Sequence, residues 1–476
     1  MLIGIDLDNT IINYNNIYKS LLDKKYSNSK INYKNILKKK LQSISLNEWT
    51  NIQGKIYGKY ISKAKINNGF INFLNFIKKN KKDIEIVIIS HKTKYPIIGK
   101  KYDLHKSAIN FLNKKIKFFS FKINKNIYFE NKINGKINRI RKLDCDIFID
   151  DLEKILTHKN FPDYTEKVLY GKYKNWKVIH KLIKSKLNVN NNNNVYTINN
   201  GKRKIFVKKF RNKNFFNKEL EFYNFLKRNN FHNFPKILNF SKKKNIIRFE
   251  FLKKNTSLRN IVLLQRNIEF LKKINLFKFN KKNISYAKDF KSKGKSYLIE
   301  LKKRLSYAKS NLKSFKKSTR SIFFHLENEI KYLHKIKYFD NMKKFQNKNL
   351  IISPCDFHYK NMIINNKKVY YFDFEYSGLD DLAKVISVNF LQPEKNIPFN
   401  LFLRLKEFIK KSFPKNKDII QRIQYLFPII YLRWILIIMN KINDKNTFSK
   451  NIKQIKKINF YIKSRKNYFE NYKEFV

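Results

Sequence analysis

Three times in this chain an apolar, strand-like run ends on carboxylates. LIGID (residues 2–6) delivers Asp6, with Asp8 two residues on, and the arrangement returns in CDIFIDD (145–151) and YYFDFEYSGLDD (370–381). Acids are scarce in this sequence, with 35 Asp plus Glu against 105 Lys plus Arg and a formal net charge of +70. Gathering scarce acids at strand ends restricts both the fold and the chemistry.

The first 180 or so residues alternate short β-rich runs with Lys-rich stretches of helical spacing. LIGID, IEIVIIS (84–90), IKFFSF (116–121), CDIFID and EKVLYG read as strands, and GFINFLNFIKKN as a helix. Strands alternating with helices predict an α/β fold, a doubly wound parallel sheet covered on both faces. In such a sheet, ligands bind at the carboxyl ends of the strands, where Asp6, Ser90, Asp150 and Asp151 all fall. Carboxylates converging on one edge repel each other unless a divalent cation lies between them, and Mg²⁺ prefers oxygen ligands. With a metal in place, one carboxylate can attack a phosphoryl group while its neighbour moves a proton. The prediction is a phosphate site.

These residues resemble the haloacid dehalogenase-like phosphatases. DLDNT (6–10) is similar to the first motif of that superfamily, the strand ending at Ser90 in VIISHKT to the second, and IDD (149–151) to the fourth. The resemblance implies Asp6 as nucleophile and Asp8 as general acid/base. It also implies Thr10 and Ser90 on the phosphoryl group, and Asp150 and Asp151 completing a Mg²⁺ site with Asp6 and Asp8. The third motif is a lone Lys, assigned to Lys136, 14 residues before Asp150, in preference to Lys132. The domain is expected over 1–185, with a small helical cap at about 13–80. His91, next to Ser90, reads as structural.

Five consecutive asparagines (190–194) have nothing to bury, so 186–195 reads as a linker between two independent cores. After it the pattern changes. YTINNGKRKIFVKKF predicts a hairpin turning at Asn200-Gly201, followed by a helix, the strand IIRFEFL (246–252) and a long helical region. A small β lobe (196–255) and a helical lobe (256–476) are expected. Asp356, Asn361 and Asp373 form the pattern that phosphoryl transfer from ATP needs: one acid to orient a hydroxyl, then an amide and a second acid to hold Mg²⁺. Lys208 on a strand, with Glu219 on the next helix, supplies a cation and the acid to hold it.

This half resembles the aminoglycoside phosphotransferase and choline/ethanolamine kinase group, whose two lobes form a protein-kinase-like α+β fold. DFHYKN is similar to the catalytic loop and FDFEYSGLDD to the metal-binding segment. The resemblance implies Asp356 as catalytic base, Asn361 and Asp373 as metal ligands, and Lys208, rather than Lys204 or Lys209, paired with Glu219. The sequence departs from the group at Pro354-Cys355, where His-Gly is usual, and in lacking a glycine-rich loop. Asp381 reads as a structural residue that fixes its loop.

The length of 476 residues favours two or three domains, and 42% hydrophobic content supports packed interiors. Excess Lys is spread along the chain together with abundant Asn and Ile, the signature of an A/T-rich genome, so no specific nucleic-acid partner is predicted. FPIIYLRWILIIM (427–439) is too short to span a bilayer and carries Arg433, so no membrane insertion is expected. Two cysteines far apart in sequence fit a reducing, cytoplasmic compartment. The reading is a bifunctional enzyme: a Mg²⁺-dependent phosphomonoester hydrolase joined to an ATP-dependent kinase. The kinase acceptor is a small hydroxyl compound such as an amino alcohol, aminoglycoside or sugar. By resemblance, its setting is the synthesis of head groups for surface polysaccharides or lipids. The alternatives are one active domain beside a binding module, or a basic nucleic-acid-binding protein.

Overall fold

The computed structural model describes the chain except residues 23–32, 81–83, 117–125, 172–173, 188–193, 202, 277–283, 292–293, 312–315, 336–349, 443–445, 447 and 471–476. Two compact units emerge, one of residues 1–211 with 236–251 and the other of 212–235 with 252–476.

The first unit is built on a parallel sheet. Its strands are β1 (Leu2–Ile5), β4 (Glu85–His91), β5 (Ile127–Glu130), β6 (Ile147–Asp150) and β7 (Glu166–Leu169), in the order β5-β4-β1-β6-β7. A short antiparallel pair, β2 (Ile12–Asn13) and β3 (Lys65–Ile66), lies between β1 and β4 in sequence. Around it come α1 (Asn15–Ser20), α2 (Tyr33–Gln42), α3 (Leu46–Tyr57) and α4 (Phe70–Lys79). Then follow α5 (Leu104–Lys115), α6 (Ile133–Leu143), α7 (Glu153–Leu156) and α8 (Trp176–Leu187).

Burial explains the sheet. Ile3, Ile5, Ile86, Ile88, Ile147 and Ile149 join one core, and their alternates Leu2, Val87, Ile89 and Phe148 join another with Ile137 and Ile140 of α6. A strand buried on both faces reads as a continuous apolar run, which is why these segments were legible as strands. Gly4 permits a close approach between neighbouring strands: a Cβ there would lie 2.5 Å from Phe148 Cδ2. The expected strand IKFFSF falls, from residue 117, outside the described residues. The edge strand β5 was not anticipated; its IYFE sequence is only half-buried and carries a weaker signal.

A second sheet is antiparallel: β8 (Asn194–Asn199), β9 (Lys204–Lys209), β10 (Ile237–Ser241) and β11 (Ile246–Glu250), in the order β10-β11-β9-β8. β8 and β9 pair from Asn194↔Lys209 to Asn199↔Lys204 around Gly201, whose φ of 86° suits glycine. The sequence grouped this hairpin with the helices that follow it, but its contacts place it in the first unit. Tyr196, Ile198, Ile205, Val207 and Ile246 enter the same core as β1 and β6. Fully buried Arg248 ties the sheets together through Asp146 Oδ1 and Asp144 Oδ1, each at 2.8 Å. Asp146 also accepts the backbone N–H of Leu2 (2.8 Å). Of the expected 186–195 linker, residues 188–193 lie outside the described residues.

The second unit contains α9 (Lys213–Arg228), α10 (Asn260–Ile274), α11 (Gly294–Asn311) and α12 (Lys316–Lys335). Four short strands follow: β12 (Leu350–Ser353), β13 (Met362–Asn365), β14 (Lys368–Tyr371) and β15 (Gly378–Asp381). The unit ends with α13 (Leu382–Leu391), α14 (Phe399–Ser412), α15 (Ile419–Met439) and α16 (Phe448–Glu470). β12 pairs antiparallel with β15, and β13 with β14. All ten residues of α13 are buried. Helix α15 starts eight residues earlier than the apolar run read from sequence and is, by length and composition, long enough to cross a membrane, yet 78% of its apolar window is buried inside the protein. Its Arg433 is buried, paired with Asp289 and, at 3.3 Å, with Glu300.

Candidate active sites

In the first unit β1 ends at Ile5, and Asp6 extends it by donating its N–H to Ile149 O of β6 (2.8 Å). The chain then turns sharply at Asn9, whose φ is 61°. Asn67 Nδ2 donates to Asn9 O (2.7 Å) and Thr10 O (2.9 Å), and Trp176 Nε1 also donates to Thr10 O (3.0 Å). This locked turn presents Asp6, Asp8 and Thr10 beside the end of β6.

The geometry brings Asp6, Asp150 and Asp151 together, one ligand oxygen from each lying within 4.8 Å of the others. Lys136 on α6 inserts its ammonium between Asp6 (2.5 Å) and Asp150 (2.7 Å), while Lys132 is exposed at the start of that helix. Asp150 Oδ1 accepts the N–H of Leu152 (2.9 Å), and Thr10 Oγ1 donates to Asp151 at 3.4 Å. Ser90 is buried near the end of β4, which pairs directly with β1. Burial, reinforced by neighbouring carboxylates and opposed by Lys136, pushes Asp6 up to about 7. Burial, with Asp6 as the main neighbouring charge, pushes Asp151 up to about 6. Buried carboxylates raised in this way form a hard-oxygen donor set that a divalent cation would relieve.

Asp8 stands apart from that trio. Tyr14 donates its hydroxyl to Asp8 Oδ1 (2.6 Å), and Lys92 places its ammonium 2.8 Å from Oδ2 and 4.5 Å from the centre of the Tyr57 ring. Sequence reasoning missed Tyr14, Tyr57 and Lys92. Lys92 follows Ser90 by two residues in SHKT, and that adjacency was the signal available.

In the second unit Asp356 lies in the loop after β12, where Cys355 has a φ of 62° and donates its N–H to Ser353 Oγ (2.9 Å). His358 Nε2 lies 3.0 Å from Asp356 Oδ1, and Asn361 Nδ2 donates to Asp356 O (2.9 Å). Phe372 N–H donates to Asn361 O (3.1 Å), which sets Asp373 next to this loop. Asp373 adopts a φ of 70°, and its carboxylate gathers with those of Glu219 (α9) and Glu375, one oxygen of each within 4.8 Å. Phe374 packs against Phe222 (4.6 Å) and Tyr223 (4.9 Å), anchoring this segment to α9. Glu375 is buried within this acidic group. Asp381 caps α13 by accepting the N–H of Ala383 (3.2 Å) and pairs with Arg422 (2.5 Å). Lys208 lies on β9 of the first unit, buried, with its ammonium 4.5 Å from the Phe210 ring centre. Lys204 is exposed and Lys209 half-buried.

No protein-family model matches this chain. No curated protein matches it in sequence either. Solved structures similar to it include an ethanolamine kinase of Plasmodium vivax (15% identity, 60% of this chain and 82% of that one, TM-score 0.41). An aminoglycoside phosphotransferase of Alicyclobacillus acidocaldarius is also similar (12% identity, 62% of this chain and 95% of that one, TM-score 0.40). So is a choline kinase of Cryptosporidium parvum (13% identity, 60% of this chain and 88% of that one, TM-score 0.38).

Proposed function

We propose that the chain carries two phosphoryl-transfer sites: a phosphomonoester hydrolase of haloacid dehalogenase-like type around Asp6, and an ATP-dependent small-molecule kinase around Asp356. The observation that carries the first reading is the buried ammonium of Lys136 between Asp6 and Asp150, with Asp151 completing the acidic trio. Mg²⁺ held by Asp6, Asp150 and Asp151 would neutralise part of the phosphate charge.

In the first step an Asp6 oxygen attacks phosphorus and the bond to the leaving oxygen breaks. The electron pair goes to that oxygen, which takes a proton from Asp8. Water then attacks the aspartyl-phosphate, giving its proton to Asp8 and releasing inorganic phosphate and the Asp6 carboxylate. Lys136 holds the nucleophile in place, and Thr10 and Ser90 line the phosphoryl position. The test is hydrolysis of small phosphomonoesters by purified protein. Asp6→Asn is expected to abolish turnover, and unchanged turnover would remove Asp6 as nucleophile.

The kinase reading is supported by the loop that joins Asp356, Asn361 and Asp373 through the Asn361 and Phe372 hydrogen bonds. As the acceptor oxygen bonds the γ-phosphorus, its proton passes to Asp356 and the bond to ADP breaks. His358 orients Asp356 from 3.0 Å. Asn361 and Asp373 would hold Mg²⁺, Glu219 belongs to the nucleotide side of this reading, and the acceptor is a small hydroxyl compound. ADP release in a screen of amino alcohols, aminoglycosides and sugars with ATP and Mg²⁺ tests it. Absence of any Mg²⁺-dependent ATP binding by the full chain would defeat it.

A further inference from the structure

Resting on the phosphatase reading, we propose that Lys92 selects the leaving group at the Asp6 site by binding a second negative charge, a carboxylate or phosphate, carried on the far side of the phosphoester. Both oxygens of Asp8 are occupied, one by the Tyr14 hydroxyl at 2.6 Å and the other by the Lys92 ammonium at 2.8 Å. A leaving oxygen that approaches Asp8 competes with these two partners for its lone pairs. Tyr14 is the fixed partner: it is 1% exposed, and its ring lies edge-on to Tyr57 at 5.1 Å and tilted against Tyr18 at 6.4 Å. Lys92 carries its charge on a flexible four-carbon stem, so its ammonium is the group that moves.

Where it can move is restricted. The Lys92 side chain is 3% exposed and its ammonium already lies against the Tyr57 ring. An ammonium displaced from Asp8 but kept from water needs a new anion, because a buried charge without a partner is costly. A phosphoester with a neutral leaving group strands it, whereas one with an anionic leaving group supplies the partner and frees Asp8 in the same motion. Half-buried Lys34 of α2, whose charge acts on Asp151, adds to the positive field at this site. A lysine present only to hold Asp8 in place would need a hydrogen-bond donor and no charge, which sets the experiment.

Phosphoglycolate and hydroxyethyl phosphate are near-equal in size and differ in the charge of the leaving group. The full chain with Mg²⁺ is expected to prefer phosphoglycolate in kcat/KM by about tenfold or more, the scale of one charge-assisted contact. Lys92→Gln, which keeps a donor for Asp8 and removes the charge, is expected to lose most of that preference, and Lys92→Arg to keep it. Thermal melts of each variant establish that it is folded. If Lys92→Gln does not fold, product inhibition of the wild-type protein serves in its place: glycolate is expected to inhibit about tenfold or more tightly than neutral ethylene glycol, and equal inhibition by the two would overturn the assignment. Equal losses on both substrates in Lys92→Gln, or no preference in the wild type, would overturn the assignment while leaving the phosphatase reading standing. No Asp6-dependent hydrolysis of either substrate would instead overturn the phosphatase reading itself.

Discussion

Arg248→Met removes one side chain and uncovers two acids. The wild-type guanidinium is fully buried, lies 2.8 Å from both Asp144 and Asp146, and stacks 4.7 Å from the Tyr164 ring centre. Without it the completely buried Asp146 keeps the Leu2 N–H, and its charge is left poorly compensated. Removing one partner of a buried pair costs about 3–5 kcal/mol. The first unit holds 227 residues. For that size each kcal/mol shifts the melting temperature by roughly 2–4 °C, so a fall of about 6–20 °C is expected. The pH dependence adds a second check. In the wild type burial acts to raise Asp146, and Arg248 beside it outweighs that effect and holds the carboxyl below its ordinary value. The stability it contributes is therefore present above the unfolded carboxylate pKa and is lost as pH falls through the lower folded value. In the variant burial prevails and raises Asp146, so the deficit should be largest near pH 8 and shrink towards pH 4. Asp146→Asn added to Arg248→Met should recover part of the loss. Calorimetry of the full chain reads all three quantities. A single variant melting within about 1 °C of wild type at pH 8 would refute the view that this network holds the two sheets together.

Other expectations are independent of that network. Because the Asp6 value of about 7 and the Asp151 value of about 6 are raised, these groups stabilise the metal-free fold least once pH exceeds them. Mg²⁺ needs them ionised, so its gain in melting temperature should be larger at pH 8 than at pH 5, and an equal or reversed gain would count against a metal at the trio. Gly4→Ala should destabilise by about 1–3 kcal/mol in denaturant titrations, since the new methyl would lie 2.5 Å from Phe148 and 3.0 Å from the Cys145 sulfur. Asp356→Ala and Asp373→Ala should each lower ATP-dependent turnover by ~10²-fold or more while sparing hydrolysis at the Asp6 site, and loss of both activities together would contradict separate chemistry.

What could be read from the sequence was what is local. DLDNT places Asp6, Asp8 and Thr10 within five residues, and a parallel strand buried on both faces announces itself as an apolar run. The spacing from Lys136 to Asp150 is one helix followed by one strand, and it brings the ammonium to 2.7 Å. Lys92 was hidden as a partner of Asp8 because their contact spans 84 residues and no periodicity marks it. Arg248 was hidden for the same reason, lying 102 residues from Asp146 in a strand whose Ile246 is an ordinary core residue. The asparagine run suggested a border by composition, yet β8 starts at Asn194 and feeds Tyr196 and Ile198 into the core of the first unit. Composition reports what a segment cannot bury and is silent on what its neighbours do.

The interleaving of the two units along the chain has a consequence for biosynthesis. Helix α9, part of the second unit, leaves the ribosome before β10 and β11, which complete the first. Arg248 therefore emerges roughly a hundred residues after the acids it neutralises, and until then Asp144 and Asp146 belong to a nascent sheet with no guanidinium to close it. A ribosome paused anywhere from residue 212 to 247 would hold a parallel sheet that has its acidic edge but lacks this tie, and such a pause is where chaperone dependence, proteolysis or loss during expression should concentrate.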